Sequence, residues 1–252
     1  MKISLITVVY NGENFLEKCI ESVLAQDYGN IEYIIIDGDS TDGTRSIIEK
    51  YRSNIHFFLS EKDKGLYDAI NKGIALATGD VVGLLNSDDM LANQNVLSQV
   101  VKSFSINPAA DGLYGNLNYV NADNDKIIRK WISKTADLKD IESGWMPAHP
   151  TLYLKRSLFA NYGVYSLNLG TAADYDLILR YFHTHRIKTI YLPELMVNMR
   201  TGGVSNQSFK SRVAAALNDY KALKRNKIPN PLLVLFKKKF SKLSQFTSAR
   251  AV

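Results

Sequence analysis

The chain holds one cysteine, Cys19, in 252 residues, so no internal disulfide can form. The spacing of Phe15, Leu16, Cys19, Ile20 and Val23 puts that cysteine on the apolar face of a helix, where it reads as core packing in a reducing compartment. No apolar run approaches the roughly 18 residues that a membrane-spanning helix needs. The start, Met1-Lys2-Ile3-Ser4-Leu5-Ile6, reads as a strand and lacks a signal-peptide cleavage pattern. G-x-G-x-x-G does not follow the first strand and G-x-x-x-x-G-K-[ST] does not occur, which excludes the dinucleotide fingerprint and the P-loop. No Cys/His cluster is spaced for zinc, and no G-x-S-x-G elbow exposes a serine nucleophile. Carboxylates, with a metal ion for them to hold, remain as the available chemistry.

What is present fits one large α/β domain with an appendage, since 46% hydrophobic content over this length can bury a full core. Strands at 3–9, 31–37, 55–60 and 80–85 alternate with amphipathic helices at 13–26, 43–52, 66–77 and 93–105, which predicts a mostly parallel sheet flanked by helices. After Asn107-Pro108 the texture changes. Gly112 to Val120 and Lys126 to Ser133 read as strands joined by the polar turn Asn121 to Asp125, adding antiparallel strands to the same sheet. Helices at 172–185 and 205–226 and a strand pair around 187–200 complete the expected elements, with Pro229-Asn230-Pro231 as a hinge.

Charge is unevenly spread. Lys221 to Val252 carry nine basic residues and no acidic one, so residues 1–220 are net −3 within a chain of +6. The apolar spacing of Leu232, Leu233, Phe236, Phe240 and Leu243 opposes the lysines, the pattern of a helix lying on an anionic membrane surface rather than of a nucleic-acid binder. The competing account is a C-terminal helix packed on its own domain with a solvated lysine face. The expected division is a domain over 1–220, halved at 105/106, and a basic amphipathic tail over 221–252.

Two acidic clusters stand where strands run out. Asp37-Gly38-Asp39-Ser40-Thr41-Asp42 follows Ile31 to Ile36, and Asn86-Ser87-Asp88-Asp89 follows Val81 to Leu85. Open α/β sheets bind ligands outside the carboxyl ends of their strands, and Mg2+ or Mn2+ takes oxygen ligands together with substrate phosphates. Thr7-Val8-Val9-Tyr10-Asn11, Ile36 to Thr44, Gly65 to Gly73, Ala77-Thr78-Gly79-Asp80 and Leu85 to Asp89, in this order and spacing, resemble the family 2 glycosyltransferases of the GT-A fold, over Met1 to about Gly203. The resemblance implies transfer of a sugar from a nucleoside diphosphate sugar to an acceptor hydroxyl, with inversion at the anomeric carbon. UDP is the nucleotide it favours, with GDP and dTDP open.

The resemblance also implies roles. Asp89 is the first choice as metal ligand, and Asp88 contacts the ribose or helps hold the ion. Asn86 stands where the usual D-x-D begins, so the division between Asp88 and Asp89 stays open. Thr7, Val9, Tyr10 and Asn11 belong to the base pocket, Asp37 accepts a hydrogen bond from the base, and Asp39 faces either way. Asp68 and Asn71, three apart on one helix face, either reach the donor or cap and pack the helix start. An inverting transfer needs a general base. The resemblance implies that the acid serving as base lies in Thr171 to Arg180. There helical spacing sets Asp174 with Leu177, Ile178 and Tyr181, pointing toward the protein body, and Asp176 with Arg180 as a surface ion pair, so the base is assigned to Asp174, with a helix N-cap as its competing account. His149, in Trp145 to Pro150, is an acceptor-side residue or a packed histidine. Arg200, before Thr201-Gly202-Gly203, suits a loop closing over a diphosphate. The expected partners are the donor, a lipid-linked or growing glycan and a membrane surface, with no nucleic acid. The expected setting is peripheral, on the cytoplasmic face of the cell membrane. A sugar nucleotidyltransferase would need a Gly-rich, Arg-containing loop after the first strand, which is missing. A sugar-nucleotide sensor or membrane scaffold would need no base.

Overall fold

The computed structural model describes residues 1–123, 126–201 and 209–238. Its first half alternates β1 (Ile3–Val9), α1 (Leu16–Leu24), β2 (Ile31–Asp37), α2 (Thr44–Lys50), β3 (Phe57–Ser60), α3 (Leu66–Leu76), β4 (Val81–Leu84), the short β5 (Met90–Leu91) and α4 (Val96–Ile106). All seven residues of β1 are buried, as are Ile34, Ile35 and Ile36 of β2, because helices cover both faces of these strands. Ile6, Val8, Ile34 and Ile36 meet Ala69, Ile70 and Ile74 of α3 on one face. On the other, Ile3 and Leu5 meet Cys19 and Ile20 of α1 and Val100 and Phe104 of α4, so Cys19 lies in the core.

The second half adds β6 (Gly112–Val120), β7 (Ile127–Trp131), α5 (Leu138–Glu142), β8 (Tyr153–Lys155), α6 (Ser157–Tyr162), α7 (Ala173–Ile178) with a π turn through Leu179–Thr184, β9 (Thr189–Arg200), α8 (Phe209–Arg225) and α9 (231–238). One sheet runs β3-β2-β1-β4-β8-β6-β9-β5, with β7 hung on β6. β1, β2, β3 and β4 are parallel; β8 is antiparallel to both β4 and β6. The pair expected around 187–200 is instead a single strand, β9, parallel to β6. Tyr191 pairs with Tyr114 and Leu195 with Asn116, so Leu192-Pro193-Glu194 bulge out of register where proline has no N–H for the ladder. The expected start of the helix at 205 lies outside the described residues. Gly83 of β4 has the Tyr153 ring of β8 where a Cβ would stand, 2.3 Å from Cε1, so only glycine lets the two halves of the sheet join there. No helix among the described residues is long and apolar enough to cross a membrane.

Candidate active site

Because β1, β2 and β4 are parallel, their carboxyl ends share one edge of the sheet. Thr7 and Val9 end β1 inside the core. Thr7 is fully buried, its hydroxyl 3.1 Å from the Tyr33 hydroxyl, so both residues form the floor beneath the edge. Tyr10 is 66% exposed beside Gly38. Asn11, at a φ of 50°, donates its N–H to Ser40 Oγ (2.8 Å) and accepts from Thr41 N–H (2.9 Å), stitching the first loop to the second. The Asp37 carboxylate is wholly buried and accepts from Ser40 Oγ (2.5 Å) and Ser60 Oγ (2.6 Å), with Arg45 Nε at 3.4 Å. Its lone pairs are spent on the loop. Asp39, at a φ of 68°, is open to solvent and pairs with Arg45.

Asp63 also reaches this corner. Its Oδ2 lies 2.5 Å from where a Gly38 Cβ would stand, so glycine at 38 leaves room for that carboxylate. Sequence reasoning passed over Asp63, and nothing local marks it. An open hollow of about 500 Å³ beside it is lined by Lys62, Asp63, Lys64, Asp68 and Lys72. Asp68 accepts from Lys64 N–H (3.0 Å) at the start of α3. Asn71 uses both ends of its amide on the Tyr165 backbone, at 2.9 and 3.0 Å, and so ties α3 to the second half.

Asp88 and Asp89 differ sharply. Asp89 is 1% exposed; its Oδ2 accepts from Asn86 Nδ2 (3.0 Å) and its Oδ1 from Arg200 N–H (3.3 Å). Burial, and then the charge of Asp88, push its carboxyl well above the usual carboxylate range. Asp88 is half-buried; burial raises it too, against the opposing charge of Arg200. Arg200 is 4% exposed and committed: it donates to the carbonyls of Asp88 (2.8 Å) and Ala122 (2.7 Å) and lies 4.7 Å over the Phe15 ring. Gly202 to Ser205 lie outside the described residues. No group of three His, Cys, Asp or Glu able to hold a metal gathers among the described residues. A hard cation bound mainly by substrate phosphates needs only one or two carboxylates, and the accessible carboxylate of the pair is that of Asp88.

Asp174 opens α7 with 17% of its side chain exposed, and its Oδ2 is 3.4 Å from His149 Nδ1. Oδ1 accepts from Tyr175 N–H (2.7 Å). The Tyr67 hydroxyl meets both the backbone and the carboxylate of Asp174, and its ring stacks on Tyr165 with centroids 5.5 Å apart. Burial first, then the negative charge of Asp174, raise both phenols, which keeps them protonated donors. Neither tyrosine was singled out from the sequence, although Tyr67 adjoins Asp68. The expected faces of this helix are reversed. Asp176 is fully buried, accepts from Asn226 Nδ2 (2.9 Å) and has Arg180 and Arg225 at 3.9 and 3.8 Å. The ion pair with Arg180 exists, but α8 and the turn after it cover that side, leaving Asp174 on the open one.

Comparisons with known proteins bear on the family and the fold. The family model "Glycosyl transferase family 2" matches residues 4–166. An uncharacterized glycosyltransferase of Mycobacterium tuberculosis is 32% identical over 186 residues, covering 71% of this chain and 68% of that protein. A PGL/p-HBAD biosynthesis glycosyltransferase of Mycobacterium bovis is 29% identical over 210 residues, covering 81% and 78%. Among solved structures, S. aureus TarS 1–349 in complex with UDP-GlcNAc superposes with a TM-score of 0.72 at 18% identity, over 94% of this chain and 71% of that one. The chain spans 39% of a longer TarS. A mannosyltransferase of Pyrobaculum calidifontis in complex with GDP-Man and Mn2+ gives 0.63 at 18% identity, over 99% and 73%. The fold is of the GT-A type, and the chain belongs to glycosyl transferase family 2.

Proposed function

We propose that this protein transfers a sugar from a UDP-sugar to a hydroxyl of a lipid-linked or growing glycan, with inversion. The observation that carries the reading is Asp174, a partly open carboxylate held by His149 and Tyr67, the latter stacked on Tyr165. The acceptor oxygen forms its bond to the anomeric carbon as the bond to the diphosphate breaks, and Asp174 takes the acceptor proton. Tyr67 and His149 hold the carboxylate in one orientation, which raises the fraction of encounters in line for attack. Tyr10 offers a ring face to the base, and Asp39 and Asp63 supply acceptors near it. Asp88 would hold a divalent ion that offsets charge on the departing diphosphate. TarS with UDP-GlcNAc and the P. calidifontis enzyme with GDP-Man and Mn2+ support this donor class, and the M. bovis relative supports a glycan-building role.

Calorimetric titration of UDP, GDP and dTDP, with and without Mn2+, tests the donor. UDP binding that needs Mn2+ and is weakened at least about tenfold in Asp88→Ala is expected. Asp174→Asn should keep that binding while turnover falls roughly 10²- to 10⁴-fold. Binding of none of the three nucleotides, or undiminished turnover in Asp174→Asn, would remove the reading.

A further inference from the structure

The helix α9 is built inside out for water. Val234 is 3% exposed and sits against Gly144, and Lys238 folds inward, its Nζ 2.9 Å from Asp219 Oδ2 and 3.3 Å from the Tyr175 ring centroid. The opposite arc presents Leu232 (71% exposed), Leu233 (50%) and Phe236 (61%), with the exposed Lys237 beside them. Three large apolar groups on one side of two turns form a patch rather than scattered exposure. The helix is firmly seated: Ala222, Leu223 and Ile228 are buried before it, and Asn226 is bonded to Asp176.

Charge decides what meets this patch. Lys221, Lys224, Arg225 and Lys227 are exposed on the approach, nine basic residues and no acidic one lie from 221 onward, and the nearby Asp219 is neutralised by Lys238. A second copy of this chain would bring the same positive charge and be repelled. An anionic bilayer complements it: leucine and phenylalanine side chains enter the acyl boundary while lysine heads stay at the phosphates. We infer that α9 docks this protein on an anionic membrane through Leu232, Leu233 and Phe236. The inward side of α9 packs on Gly144, one residue before Trp145, and on Tyr175 in the helix of Asp174, so docking through the outer side holds the second half of the fold next to the bilayer. The inference does not depend on the transfer reaction.

The test is flotation of the full chain with vesicles of phosphatidylcholine alone and of phosphatidylcholine with about 30% phosphatidylglycerol. Partitioning onto the anionic vesicles only is expected, weakened in about 0.5 M salt and roughly tenfold or more by Leu232→Ser with Leu233→Ser. Both leucines are exposed, so the variant should fold, and an unchanged melting temperature and nucleotide titration check that it does. Absence of vesicle binding, or equal binding to neutral vesicles, overturns the inference. Undiminished binding of the double variant overturns it as well, because the basic residues alone would then be sufficient. Self-association of the wild type without vesicle binding, abolished by the same substitutions, assigns the patch to a second copy and also overturns it.

Discussion

Asp88 and Asp89 are adjacent in sequence and opposite in circumstance, which separates their expected phenotypes. Asp89→Ala leaves the buried Arg200 N–H without its acceptor and should cost about 1–3 kcal/mol in urea unfolding. Asp89→Asn keeps an oxygen for that N–H, its new NH2 group is met by the Asn86 amide turned to present its oxygen, and a carboxyl that burial already disfavours is removed, so its stability should stay within about 1 kcal/mol of wild type. Asp88→Ala should leave unfolding nearly unchanged and act on nucleotide binding instead. A loss of stability in Asp88→Ala as large as in Asp89→Ala would show that the two share one structural task. The sequence marks both acids as a strand-end pair but carries no sign of which one turns inward, because the groups that enclose Asp89 come from β9, more than a hundred residues later. The same holds for Asp174 and Asp176. Their helix and its first-turn acid are legible from local spacing, whereas the face that α8 covers is a fact of tertiary packing.

Short elements owe their form to what surrounds them. With six residues, α7 is too short to persist alone, so Asp174 is aimed by the ties of its neighbours. Asp176 accepts from Asn226, and Arg180 donates to the carbonyls of Tyr162 and Val164, just before Tyr165. Asn226→Ala should therefore lower turnover several-fold with the donor KM unchanged, and cost about 1–3 kcal/mol in melting experiments. Unchanged turnover in a destabilised variant would reduce this tie to stability alone. The opposite end of the sheet carries a different lock. Burial would raise the Glu32 carboxyl, but hydrogen bonds from Lys2, Ser4 and Thr78 outweigh it and hold the group at about 2. A depressed carboxylate stabilises the fold above its unfolded value and loses that contribution as pH falls, so about 3 kcal/mol should disappear between roughly pH 5 and pH 2. Glu32→Gln should be less stable at pH 7 and show a flatter melting profile through that window. Strands β1, β2 and β4 are legible as continuous apolar runs, whereas β5 and β8, of two and three residues, exist only because β9, β4 and β6 offer them partners.

At the scale of the molecule, a single sheet joins the parallel first half to the mixed second half, and the groups gathered around the proposed base are drawn from both. Tyr67 comes from α3, His149 from the turn before β8 and Asp174 from α7, so this cluster exists only when the halves are assembled. Residues 221–238 participate in that assembly. Residue 220 falls within α8, and Ala222, Leu223, Ile228 and Val234 belong to the same core cluster as Tyr175, Leu177 and Ile141. Composition alone marks this stretch as basic and amphipathic. It could not show that the inward side of α9 is apolar as well, because Val234 and Leu235 stand between the exposed leucines and Phe236 in a wholly apolar string. A chain ending at Arg225 should lose the burial of Ile228 and Val234, about 1.5–3 kcal/mol each, together with the Asn226 bond to Asp176. For a chain of this size that is a fall of roughly 10 °C or more in Tm. Since the Asn226 bond reaches the helix of Asp174, turnover measured well below the lowered Tm should fall as well, while nucleotide binding, which the proposal assigns to the strand ends of the first half, is kept. Full turnover in the shortened chain would separate the C-terminal helices from the chemistry and leave them a role at the membrane alone.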